Sequence, residues 1–220
     1  HYYGLDEALF PRPCRVAVFG GSDDKKSALN STKVLDLASM TFISGPNMLM
    51  RRNMCAAAMM DGSHILVVGG YDGNETLNTT EVIVATSMFS SPGPEMGSSR
   101  SGCAAVSIDA HRLIVIGGFD GSLRLSTTEV LDLVSMKFAP GPTMETRRMG
   151  CAAVMLDTRR LLVVGGHEGT QFLDTTEVLD LAAMSFLPGP RMNNVRMGCA
   201  AMMIDSQRLL VIGGRDEASW

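Results

Sequence analysis

An all-β fold assembled from repeats is predicted by three observations. Gly-Gly pairs begin at Gly20, Gly69, Gly117, Gly165 and Gly213, at steps of 49, 48, 48 and 48 residues. A fixed period of roughly 20–50 residues marks repeat architectures. Between the pairs lie apolar runs of strand length bounded by turn residues, and no stretch sustains a 3.6-residue apolar period beyond two turns. The 220-residue chain is 45% hydrophobic with a net charge of −4, too apolar and too weakly charged for a disordered chain.

One unit shows how each element arises. Residues 151–156 and 161–164 are continuous apolar runs, the pattern of strands buried on both faces, joined by the polar turn Asp157-Thr-Arg-Arg160. Residues 175–181, Thr-Thr-Glu-Val-Leu-Asp-Leu, form a third and less apolar strand. The segment around Phe186 is the fourth and runs into Pro188-Gly-Pro190. Proline cannot donate to a ladder, which places this strand at a sheet edge. Four strands per unit, repeated, predict a β-propeller whose blades bury their faces against one another. The small Gly-Cys-Ala-Ala stretch suits the crowded innermost strand. Methionines recurring at Met40, Met88, Met136 and Met184, and again at Met48, Met96, Met144 and Met192, are expected as packing positions.

The units share an apolar strand ending in Gly-Gly, an Asp-Gly loop, a Glu-Val strand, an aromatic, Gly-Pro-x-Met, and an Arg before the next strand. This pattern resembles the kelch family over essentially the whole chain after about residue 14. Two departures mark an aromatic-poor branch. The usual third-strand Tyr is Leu35, Ile83, Leu131 and Leu179, and the usual Trp is Phe42, Phe89, Phe138 and Phe186. The first unit also has Lys33 in the Glu position and Met54 in the Gly position. The resemblance implies a kelch-type β-propeller with blades at about 4–48, 51–96, 99–144 and 147–192, and a partial blade at 195–214. A degenerate strand at 4–10 would open the first blade. Kelch rings of five to seven blades need roughly 240–340 residues, so four and a half blades are expected to form an incomplete ring.

Composition excludes other classes. No apolar run approaches the roughly 18 residues of a membrane span, so no membrane partner is expected. A pI of about 5.6 lacks the dense basic footprint of a nucleic-acid binder. Five cysteines without a Cys-x-x-Cys pair do not form a disulfide framework. The first ten residues lack a basic region followed by an apolar run, so no secretory signal is expected there, and an intracellular, cytoplasmic setting is anticipated. The starting His1 suggests a processed or truncated chain.

Several recurring residues invite a chemical reading and are better explained by the scaffold. Cys55, Cys103, Cys151 and Cys199 recur 48 residues apart, unlike the close pairs of structural zinc sites, and are expected to pack as small hydrophobes. Glu81, Glu129 and Glu177 recur in third strands, and Arg52, Arg100, Arg148 and Arg196 before first strands. One copy per unit is how scaffold residues behave, and loop-closing Glu–Arg contacts are expected with their pairing open. The Gly-Gly pairs match neither phosphate-loop pattern; Asp72-Gly73 and Asp120-Gly121 supply turn residues. His1, His64, His111 and His167 are scattered. No catalytic residue, metal or cofactor is expected.

Positions that differ between units can carry a specific site. They concentrate in the loops after Gly-Gly and after Gly-Pro-x-Met, which share one rim in an up-and-down blade. The candidate partner-binding residues are Lys25, Lys26, Arg51, Tyr71, Asn74, Glu75, Ser98, Ser99, Phe119, Arg124, Arg147, His167, Phe172 and Asn194. Their mixture of aromatic and basic groups is common at interfaces. The expected function is a non-enzymatic module binding a protein or an acidic or acidic-aromatic peptide. The resemblance adds the role of a ubiquitin-ligase substrate adaptor or scaffold. Two alternatives stand beside it: a galactose-oxidase-like or sugar-epimerase-like kelch enzyme, and an architectural scaffold that assembles with further blades or a second chain.

Overall fold

The computed structural model describes residues 15–85, 87 and 89–216. The expected strand at 4–10 lies outside these residues. Seventeen strands form five antiparallel sheets, and no helix occurs among the described residues. The first sheet holds β1 (Arg15–Phe19), β2 (Thr32–Asp36) and β3 (Thr41–Ser44). The second holds β4 (Ala56–Met59), β5 (His64–Val68), β6 (Thr80–Val84) and β7 (Phe89–Pro92). The third holds β8 (Ala104–Ser107), β9 (Arg112–Ile116), β10 (Thr128–Asp132) and β11 (Lys137–Pro140). The fourth holds β12 (Ala152–Met155), β13 (Arg160–Val164), β14 (Thr176–Asp180) and β15 (Ser185–Pro188), and the fifth only β16 (Met197–Met203) and β17 (Leu209–Arg215). Strand order within each sheet is sequential. No described helix is long and apolar enough to cross a membrane.

The short side chains of β4, β8, β12 and β16 let these strands approach one another, so they line a common axis. Main-chain hydrogen bonds link the chain where it enters these strands: Gly102 N–H donates to Met54 O at 2.8 Å, Gly150 to Gly102 at 2.7 Å, and Gly198 to Gly150 at 2.7 Å. The second strands explain the continuous apolar runs. In β9, Leu113 and Val115 pack toward the second sheet, while Ile114 and Ile116 pack toward the fourth. Alternate side chains thus serve different interfaces. Each fully buried side chain of this kind contributes about 1.5–3 kcal/mol of hydrophobic stabilisation. Cys103 and Cys151 belong to the same clusters, and burial pushes each thiol up to about 12.

The two methionine series separate. Met48, Met96 and Met144 are buried, as expected of packing positions. Met40, Met136 and Met184 instead occupy the left-handed region at φ 53°, 53° and 48°, in the turn between the third and fourth strand positions. Met40 is 70% exposed. At this turn the backbone needs a residue at positive φ, and the side chain is exposed at Met40 and half-buried at Met136 and Met184.

Candidate functional site

The rim is assembled by buried groups beneath it. In the second unit Arg52 Nε donates to Glu81 Oε1 at 2.9 Å, Nη1 to the carbonyls of Gly69 and Thr79, and Nη2 to Thr79 Oγ1. Glu81 in turn accepts from the backbone amides of Leu49 and Met50 and from the Ser90 hydroxyl. Burial pushes the Glu81 carboxyl up, but Ser90, the Leu49 amide and Arg52 together hold it below its ordinary value. The same set recurs as Arg100–Glu129 with the amides of Gly97 and Ser98, and as Arg148–Glu177 with those of Glu145 and Thr146. A buried ion pair holds when its remaining donors and acceptors are also satisfied. These pairs are therefore scaffold, and each fixes the loop that enters the next blade.

The loops after Gly-Gly are short hairpins closed by isolated bridges: Tyr71–Thr76, Phe119–Arg124 and His167–Phe172. Their first members also bridge to the neighbouring loop, as Asn53–Tyr71, Ser101–Phe119 and Met149–His167. Both loop sets therefore meet on one rim. Asp72 shows how a hairpin tip is shaped. Its Oδ1 accepts from the amides of Asn74 and Glu75, which holds the carboxyl below its ordinary value, and Gly73 follows at φ 113°, a conformation that favours glycine.

Two groups of candidate residues come together. Lys26, Arg51 and Asn74 line a groove of about 590 Å³ with Leu49, Met50 and Asp72. Farther along, Arg124 stacks over Phe119 at 5.2 Å and His167 meets Phe172 edge-on at 4.9 Å. Arg215 stacks over the other side of this group, 5.1 Å from the Phe172 ring centre. Burial, then the charges of Arg124 and Arg215, hold the His167 imidazole below its ordinary value. Arg124 Nε is buried with no hydrogen-bond partner among the described residues. This makes a contiguous run of aromatic faces and cations with an unused donor.

The remaining candidates are more dispersed. Lys25, Glu75 and Arg147 are exposed on their loops. Tyr71 is also exposed and donates its hydroxyl to Gly73 O at 2.8 Å. Ser98 serves the scaffold through its amide, with Ser99 beside it half-buried. Asn194 sits apart from both groups, in a cavity beside the fifth sheet. Arg215 was not anticipated. It follows Gly213-Gly214 as His167 follows Gly165-Gly166, and that equivalence was the available signal. No cluster of three or more His, Cys, Asp or Glu side chains that could hold a metal occurs among the described residues.

A family model for the kelch motif matches residues 99–145, the stretch that contains the third sheet. The repeat is a kelch repeat. The second and fourth sheets copy the register of this kelch unit: Glu129 faces Val115 as Glu81 faces Val67 and Glu177 faces Val163. The architecture is a kelch-type β-propeller. No curated protein matches the chain at a significant level. Kelch motifs typically build protein-interaction modules without enzymatic activity.

Proposed function

We propose that the rim binds an acidic, aromatic-containing peptide segment of a protein partner. The observation that carries this reading is the run Phe119–Arg124–His167–Phe172–Arg215. Aromatic rings flanked by arginines offer stacking area together with charge-assisted donors for carboxylates. The groove of Lys26, Arg51 and Asn74 would give the same peptide a second contact. A role as substrate adaptor or scaffold, implied by the kelch resemblance, belongs to the same proposal, as does the absence of catalysis.

The test is fluorescence anisotropy with a panel of labelled peptides rich in Asp, Glu and Phe. At least one peptide should bind, and Arg124→Ala combined with Phe172→Ala should weaken it by at least about tenfold, the scale of an interface anchor. Binding unchanged in that double variant, in 50 mM and in 200 mM salt alike, would remove the rim from consideration.

A further inference from the structure

The third unit covers an aromatic ring that the second leaves open. Tyr71 and Phe119 occupy the same position, two residues after the first glycine of each Gly-Gly pair. Tyr71 bridges to Thr76 and Phe119 to Arg124. Threonine has no cation to lay over its partner's ring, and Tyr71 is 38% exposed. Arg124 instead sets its guanidinium 5.2 Å from the Phe119 ring centre, and both side chains are half-buried. The hairpin tip of the fourth unit borders the arginine, since a Cβ placed on Gly169 would stand 3.8 Å from Arg124 Cδ.

The cover is held at a cost. Arg124 Nε is buried there without a hydrogen-bond partner among the described residues, and an unsatisfied buried donor is destabilising. The acidic residues of the two hairpin tips are engaged in their own turns. Asp120 Oδ1 accepts from the amides of Ser122 and Leu123, and Glu168 Oε1 from the Thr170 hydroxyl and Gln171 Nε2. The same place is where a ligand ring would sit. Aromatic pairs pack with centroids about 4.5–7 Å apart, so a ring stacked on this face of Phe119 and the guanidinium exclude each other. An aromatic side chain alone would displace Arg124 without replacing its cation–π contact. A carboxylate alone gains a charge-assisted pair but leaves the Phe119 face bare. A ligand that carries both groups completes the exchange.

We propose that Arg124 is a movable cover over Phe119, opened by a peptide that brings an acidic and an aromatic side chain together. This rests on the reading of the rim as a peptide site and makes it more specific, because acid and ring are recognised jointly. In an extended peptide the two belong at positions i and i+2, which lie on one face about 6–7 Å apart. The carboxylate takes the displaced guanidinium, Nε included, and the peptide's ring takes the place it left.

Four labelled peptides with identical flanks and the cores Glu-Gly-Phe, Gln-Gly-Phe, Glu-Gly-Ala and Gln-Gly-Ala test this by fluorescence anisotropy, against the whole 220-residue chain and its Arg124→Ala variant. In the parent protein the joint effect of Glu and Phe should exceed the product of their separate effects by at least about fivefold, as for two groups acting through one shared partner. In Arg124→Ala this coupling should vanish, and Gln-Gly-Phe should bind about two- to fivefold more tightly than to the parent because the cover is gone. An arginine that only attracts acid would give no such gain. Independent effects of Glu and Phe in the parent protein, or Gln-Gly-Phe bound no better by Arg124→Ala, overturn the cover and leave the rim as a peptide site. Binding of none of the four to either protein overturns the peptide reading together with the cover.

Discussion

The fourth and fifth sheets begin with the same two strands and the same arginine, yet only the fourth surrounds its arginine completely. Arg148 is fully buried and makes bonds to Glu177, Gly165 and Thr175. Arg196 is half-buried, and its side chain bonds only to Gly213 among the described residues. The first two strands place the guanidinium, and the third strand turns it into a lock. The lock also reaches the rim, because Glu177 fixes the amides of Glu145 and Thr146. The buried ion pair therefore positions a binding loop as well as a blade.

The largest expected difference comes from deleting the arginine in each setting. Arg148→Ala strands the carboxylate of Glu177 in a site with only 4% side-chain exposure. Breaking a buried pair on one side costs about 3–5 kcal/mol. Arg196→Ala removes one partly exposed hydrogen bond and should cost about 1 kcal/mol or less. Urea denaturation followed by circular dichroism separates the two. Equal losses would mean that the fifth unit is already locked by some other route.

A smaller contrast tests the backbone. Gly117 and Gly213 have nearly the same conformation, at φ 62° and 64°, so alanine at either position meets left-handed strain of about 1–2 kcal/mol. At Gly117 the added methyl also runs into the carbonyl oxygen of Arg148, where the next blade's loop passes close by. At Gly213 nothing lies within 4 Å. Gly117→Ala should therefore cost about 1–3 kcal/mol more than Gly213→Ala, the usual range for overpacking. Thermal unfolding of the two variants measures the difference, and matching midpoints would show that close approach contributes nothing.

Much of this contrast could be read in the sequence. The 48-residue step, the Gly-Gly ends of second strands and the prolines of outer strands are local signals, and they located the sheets. The pairing of Arg52 with Glu81 was not readable, because the two lie 29 residues apart and the repeat places another arginine, Arg100, closer to Glu81 in sequence. The exposure of Met40 was hidden for a related reason. Periodic recurrence marks a position the fold uses, but a left-handed turn recurs as faithfully as a buried contact. The rim run was half visible. Phe119, Arg124, His167 and Phe172 stood out as differences between units, whereas Arg215 joins them only through the curvature that brings the fifth sheet beside the fourth.

His167 offers the finest measure of that curvature, because its neighbours come from both sides. Arg124 belongs to a complete unit and Arg215 to the open one, and both oppose protonation of the imidazole. The ordinary histidine value is about 6.5, so the free rim keeps His167 neutral somewhat below that pH. A carboxylate of a bound peptide reverses the local field and raises the value. Binding then takes up a proton, and affinity should increase as pH falls from about 6.5 toward the free-state value, by less than about tenfold for each pH unit of difference. Anisotropy at pH 7.5, 6.5 and 5.5 should show this rise, and His167→Asn should flatten it. NMR titration divides the effect between the two sides. Arg124→Ala should raise the His167 pKa most and Arg215→Ala less, following the order of their influence. If Arg215→Ala leaves the titration unmoved, the open sheet does not hold its cation over Phe172, and the rim ends with the last complete blade.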